Sequence, residues 1–214
     1  MQSLAEQYRP RSLDDVAGQD KAVRVLKALA VRGFGGRALW ITGASGTGKT
    51  TLARIVAAEI ASDWVIEEID AGELTSARVR DIWSGFACYG PGKGGRALIC
   101  NEAHILDAKT ITSLLVELER IPSHCVVVFT TTTDGLESFI DKRADAGALL
   151  SRCILLPLSR SKLAAPFAER VLNGARAAGL AEPETTLEQA VKLLQECRNN
   201  CRAAWQAVES GALL

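Results

Sequence analysis

Eight consecutive residues, Gly43, Ala44, Ser45, Gly46, Thr47, Gly48, Lys49 and Thr50, spell the pattern G-x-x-x-x-G-K-T. Glycines let a backbone wrap around phosphate groups with its N–H groups turned inward, and a helix that follows adds its positive end. A lysine at the seventh place can neutralise the β and γ phosphates, and a hydroxyl at the eighth can ligate Mg²⁺. The pattern gains its meaning from what surrounds it. Before it runs the apolar, strand-like stretch Ala38-Leu39-Trp40-Ile41-Thr42, and Thr51-Leu52-Ala53-Arg54-Ile55-Val56-Ala57-Ala58 follows in helical spacing. These residues imply a site for a nucleoside triphosphate.

Three further groups of residues could complete its chemistry. About fifty residues downstream, Asn101-Glu102-Ala103-His104 follows the apolar run Ala97-Leu98-Ile99-Cys100. Acids at that strand end commonly support Mg²⁺ and polarise an attacking water. Glu102 fits the role of base. Asn101 keeps an oxygen but carries no charge, so metal affinity and water activation should both weaken. His104 reads as a packing residue or a neighbour of the site. The next apolar run ends in Thr130-Thr131-Thr132-Thr133-Asp134, whose hydroxyls could meet a γ phosphate, although threonine also simply suits strands. Arg152, before the last strand, lies too far across a sheet to serve its own phosphate loop. It could reach a neighbouring subunit's nucleotide, or be an ordinary surface arginine.

Short apolar strands near 38–42, 64–70, 97–100, 125–130 and 154–158 alternate with helices near 20–31, 51–58, 75–86 and 107–120. That alternation predicts an α/β fold, a parallel sheet covered on both faces. The first residues, through Gln19, read as polar and turn-like, and the stretch between Asp134 and Ser151 as a loop. After Ser159 the strand signals stop, and helices are expected over 163–178, 186–197 and 202–209. The chain thus divides into a nucleotide-binding domain, 1–159, and a helical lid, 160–214.

Basic and acidic side chains balance at 25 each, so no global field announces nucleic acid or membrane. Arg78, Arg80, Lys93, Arg96 and Lys109 could line one basic face, as could any solvated surface. The N-terminus does not read as a signal peptide and no apolar run is long enough to span a bilayer, so a cytoplasmic protein is expected. The six cysteines form no C-x-x-C pair and read as reduced thiols, three of them in apolar strands.

Taken together, these residues resemble the AAA+ ATPases of the clamp-loader group, which includes the gamma/tau subunit of bacterial DNA polymerase III and the small subunits of replication factor C. The resemblance runs the length of the chain. Tyr8-Arg9-Pro10 with Val16-Ala17-Gly18-Gln19 looks like the family's N-terminal segment around adenine. Gly43 to Thr50 with Thr51 is its phosphate loop, and Asn101-Glu102 stands at its Walker B position. Thr133, or alternatively Thr132, is similar to sensor 1. Ser151-Arg152-Cys153 matches its arginine-finger triplet, and Asn199-Asn200-Cys201-Arg202 resembles sensor 2, which would set Arg202 over the γ phosphate. The resemblance implies a P-loop fold with a five-stranded parallel sheet and a three-helix lid. It further implies ATP and Mg²⁺ as cofactors, with Lys49, Glu102, Thr133, Arg152 and Arg202 in catalysis and Thr50 and Asn101 at the metal. Other AAA+ subunits, primed DNA and a sliding clamp would be the partners.

Asn101 departs from the pattern. So do the absence of the four-cysteine zinc module, a longer stretch between Asp134 and Ser151, and an end at Leu214 where a collar segment is expected. Two other readings stay open. One is a switch subunit of a replication or repair complex that binds nucleotide but hydrolyses it poorly. The other is a branch-migration or replication-maintenance motor. A two-domain helicase and a small-molecule kinase fit less well, because one core and no acceptor pocket are evident.

Overall fold

The computed structural model describes residues 2–214. Five strands make one parallel sheet: β1 (Arg37–Thr42), β2 (Ala61–Asp70), β3 (Gly95–Asn101), β4 (Cys125–Thr131) and β5 (Cys153–Pro157), in the order β2-β3-β4-β1-β5. The β3 and β4 runs are apolar at almost every place, as strands buried on both faces must be. Ten α-helices occur among the described residues. They are α1 (Leu4–Gln7), α2 (Asp20–Ala30), α3 (Lys49–Ile60), α4 (Ser76–Phe86), α5 (Ala108–Glu117), α6 (Thr133–Lys142), α7 (Ala146–Ser151), α8 (Ala164–Ala177), α9 (Leu187–Glu196) and α10 (Cys201–Glu209).

Side-chain alternation along the strands divides the interior in two. Ala38, Trp40, Leu98, Cys100, Val127 and Phe129 face α4, α5, α6 and α7, where Val79, Ile82, Ile111, Leu114, Phe139 and Leu149 meet them. Leu39, Ile41, Ala97, Ile99, Val126 and Val128 face α2 and α3 through Val23, Leu26, Leu52, Ile55 and Val56. A third apolar cluster joins α8, α9 and α10 around Phe167, Val171, Leu194, Trp205 and Val208, and it draws in Leu4 from the N-terminus.

Local chemistry explains most helix starts. Thr75, Asp107, Thr132, Thr186 and Asn200 each accept a backbone N–H of the first turn of α4, α5, α6, α9 and α10. Two sequence expectations change here. The N-terminal stretch, read as turn-like, contains α1 and a short 3₁₀ turn at Leu13–Asp15. The stretch from Asp134 to Ser151, read as a loop, folds into α6 and α7. Thr132 caps α6, and Phe139, 1% exposed, stacks on Trp40 with ring centroids 5.5 Å apart. A few apolar residues over so short a span carry little periodicity, and their burial against the sheet makes the helices.

Candidate nucleotide site

The phosphate loop leaves the C-terminal end of β1, the expected crevice of an open parallel sheet. Gly46 has φ +76° and Gly48 has φ +103°, backbone that other residues rarely adopt. A Cβ on Gly46 would stand 2.0 Å from Asn200 Oδ1, so this glycine is also what lets the start of α10 close over the loop. Thr47 Oγ1 donates to the Ala44 carbonyl at 2.8 Å, and Lys49 Nζ donates to the carbonyls of Gly43 (2.9 Å) and Ala44 (3.0 Å).

Lys49 is nearly buried, and its pKa lies below the ordinary lysine range. Burial is the main cause; the Glu102 carboxylate works against it, and the Arg202 guanidinium adds to it. Lys49 and Arg202 therefore press unfavourably on each other. A bound polyanion would relieve both.

The cleft above the loop is partly open to solvent and has a cavity volume of about 150 Å³. One wall is the loop from Ser45 to Thr51, with Glu102 beside it. The opposite wall comes from both ends of the chain: Tyr8, Arg9, Pro10 and Val16 from the N-terminal segment, Phe167 and Arg170 from α8, Arg202 and Trp205 from α10. Tyr8 and Trp205 stack at 5.1 Å and 9° between planes. Arg170 donates to the backbone oxygens of Tyr8 and Asp15, holding the segment against the helices. Arg9 donates to Thr51 Oγ1 at 2.9 Å and to Glu6.

Gln19 joins the walls. Its buried amide donates to the Thr47 and Ser159 carbonyls and accepts from the Ser159 N–H. Gly18 precedes it at φ +72°, where a Cβ would stand 2.8 Å from Leu163.

At the end of β3, Asn101 Oδ1 accepts from Thr130 Oγ1 at 2.9 Å and lies 3.5 Å from Thr50 Oγ1. Glu102 has φ +53°, rare for a residue with a side chain, and its carboxylate is 3.4 Å from His104 Nδ1. His104 Nδ1 also bonds Thr131 Oγ1 at 3.0 Å.

Mg²⁺ takes oxygen ligands and usually borrows only one or two from protein when phosphates supply others. Thr50 and Asn101 offer such oxygens. No group of three or more His, Cys, Asp or Glu able to hold a metal exists among the described residues. The donor set fits a phosphate-borne Mg²⁺ and not a caged ion.

Most of the residues expected from the sequence line this cleft. Gly43, Ala44 and Asn101 adjoin it through Lys49 and Thr50, while Thr133 and Arg152 stand apart. Thr133 is the exposed first residue of α6, and Thr132 is its cap. The hydroxyls that reach the Asn101–His104 end of β3 belong to Thr130 and Thr131. Arg152 precedes β5, at the opposite end of the sheet. The register Ala38↔Cys153 sets Arg152 level with Arg37, about six residues, roughly 20 Å, from the loop. There it bonds Glu119 and the Ala148 carbonyl. Of the basic residues considered for a nucleic-acid face, Arg78 pairs with Glu67, Lys93 bonds the Ala58 carbonyl and Arg96 that of Cys88. Phe167, Arg170 and Trp205 were not expected in the site. Phe167 and Trp205 have the spacing of core residues and Arg170 that of a surface charge, and only the packing of α8 and α10 beside the loop brings them to the cleft.

A sequence model of the family described as "ATPase family associated with various cellular activities (AAA)" matches residues 39–152, just over half of the chain. The chain belongs to this family. Among curated relatives, "Protein STICHEL-like 1" of Arabidopsis thaliana is 28% identical over 67% of this chain and 15% of its own length. DNA polymerase III subunit gamma of Buchnera aphidicola is 28% identical over 76% of this chain and 49% of its own. The replication factor C large subunit of Methanothrix thermoacetophila is 39% identical, over 37% of this chain and 17% of its own. The chain thus spans about half, or far less, of these relatives. The solved structure of the Thermotoga maritima RuvB Holliday junction branch migration motor superimposes with a TM-score of 0.72 at 23% identity, covering 94% of this chain and 64% of that one. That likeness concerns the fold. The chain is an AAA ATPase domain related to clamp-loader subunits.

No described helix is long and apolar enough to cross a membrane. The cysteines are free thiols, and burial raises Cys100 and Cys153 to about 12 and Cys201, at the cleft, to about 11.

Proposed function

We propose that this chain binds Mg²⁺·ATP between its phosphate loop and its helical lid and acts as a clamp-loader-like subunit in DNA replication. Residues 160–214 serve as the lid and Arg152 acts in trans on a neighbouring subunit's nucleotide. The observation that carries the reading is that Lys49 and Arg202, two cations, line one cleft, where burial and the Arg202 guanidinium both disfavour the Lys49 charge. Tyr8, Pro10 and Val16 would flank the base, Thr50 and Asn101 the metal, and Glu102 would polarise the water, as the family's chemistry requires. Arg152 stands at the sheet end where it cannot meet its own loop but could meet another chain's. Subunits of the same family, primed DNA and a sliding clamp are the partners this reading names, and a soluble cytoplasmic location goes with it.

The test is ATP turnover with and without primed DNA, in the wild type and in Arg152→Ala. Turnover should rise with DNA. The variant should lose that rise, by about a thousandfold if the guanidinium is a true finger, while still binding a fluorescent ATP analogue normally. Unchanged turnover in the variant would remove the finger, and indifference to DNA would remove the clamp-loader role. A second reading, a nucleotide-dependent switch that hydrolyses slowly, is favoured by Asn101. It predicts tight binding with negligible turnover under every condition.

A further inference from the structure

Asn101 lacks the charge of an acid, yet a carboxylate stands beside it. Asn101 Nδ2 donates to Glu68 Oε1 at 3.0 Å, across the β2–β3 ladder from a diagonal neighbour, since Glu68 pairs with Ile99 and Asp70 with Asn101. A carboxylate can only accept, so this bond determines which way the amide faces. Its nitrogen turns to Glu68 and its oxygen to Thr130 and Thr50. Glu68 is itself held: Arg54 Nε donates to its Oε2 at 2.6 Å and Nη2 to its Oε1 at 3.1 Å. Arg54 Nη1 then reaches Glu6 at 2.7 Å, and Glu6 holds Arg9, which bonds Thr51. A continuous polar chain therefore joins the metal side of the site to the N-terminal segment.

We infer that Glu68 is a positioning residue of the nucleotide site. It orients Asn101 so that the amide oxygen faces Thr50, and its carboxylate balances the Arg54 guanidinium that would otherwise stand less compensated beside the metal side. The inference rests on the Mg²⁺·ATP reading. It has a consequence that runs against the simple expectation for a Walker B position. Placing an aspartate at 101 would set two carboxylates within hydrogen-bond distance, a like-charge pair. Asn101→Asp should therefore improve the metal site only when Glu68 is neutralised.

The experiment is a cycle of E68Q, E68A, N101D and N101D/E68Q. It is read by the Mg²⁺ concentration at half-maximal binding of a fluorescent ATP analogue and, without nucleotide, by thermal melting. E68Q keeps an acceptor for the Asn101 amide but leaves Arg54 less compensated beside the metal side, and should raise the Mg²⁺ midpoint about threefold to tenfold. E68A loses the acceptor as well and should raise it further. N101D should melt about 2–4 °C lower than the wild type and gain little Mg²⁺ affinity. N101D/E68Q, with the charge moved across, should recover both. If N101D changes the midpoint by the same factor in either background and the melting shifts simply add, the inference is overturned; so it is if E68Q leaves the midpoint unmoved. Should the wild type bind no nucleotide, the triphosphate reading fails. The melting cycle still decides whether residues 68 and 101 are coupled.

Discussion

The two walls of the cleft are built in opposite ways. The phosphate wall is local: Ser45 to Thr51 are contiguous, hang from a buried strand and set their own geometry through Gly46, Gly48 and the Thr47–Ala44 bond. The base wall is assembled from residues more than 150 positions apart, with Tyr8 stacked on Trp205 and Arg170 bonding the Tyr8 carbonyl. A wall of the first kind survives as long as the sheet does. A wall of the second kind exists only while α8 and α10 stay packed against the N-terminal segment.

The largest test of that contrast is Trp205→Ala. Trp205 is 3% exposed at the centre of the lid cluster, and its loss should cost about 3–5 kcal/mol of lid stability. ATP affinity should fall more than affinity for tripolyphosphate, which needs no base wall. Equal losses would mean that the walls are not separable. Gln19→Ala attacks the joint. It orphans the Ser159 N–H and the Thr47 and Ser159 carbonyls, and should lower stability by about 1–3 kcal/mol in chemical denaturation. It should also broaden the transition, because lid and sheet would no longer melt together.

The smallest effect is set by pH. The Glu6 carboxyl lies below its ordinary value, chiefly because Arg9 bonds its charged form, with Arg54 assisting. A depressed carboxylate stabilises at neutral pH, and that contribution is lost as pH falls through its folded value. Acidification below the ordinary carboxylate range should therefore loosen the N-terminal segment, seen as faster hydrogen exchange over residues 4–10. Glu6→Gln should show the looser behaviour already at neutral pH. If exchange there is insensitive to both, the segment is held by the lid contacts alone.

The contrast also separates what could be read in the chain from what could not. The phosphate loop was legible because its chemistry needs particular residue types at adjacent places and because a buried strand and a helix flank it. The parallel sheet was legible because runs such as Ala97-Leu98-Ile99-Cys100 have no polar face to offer water. The threonines after Phe129 were not resolved by pattern. Four of them are consecutive, and a slip of one residue along a strand exchanges its faces, so only pairing with the neighbouring strands decides which hydroxyl goes where. That pairing presents Thr130 to Asn101 and Thr131 to His104, while Thr132 and Thr133 turn into α6.

Sequence alone determined the glycine-rich loop and its place between a strand and a helix, since a backbone cradle is made by neighbours in the chain. Tertiary structure alone decided the partners of Asn101 and the entry of Phe167, Arg170 and Trp205 into the second wall. Those depend on which strands pair and on where the lid closes, and neither is encoded within any one stretch of residues.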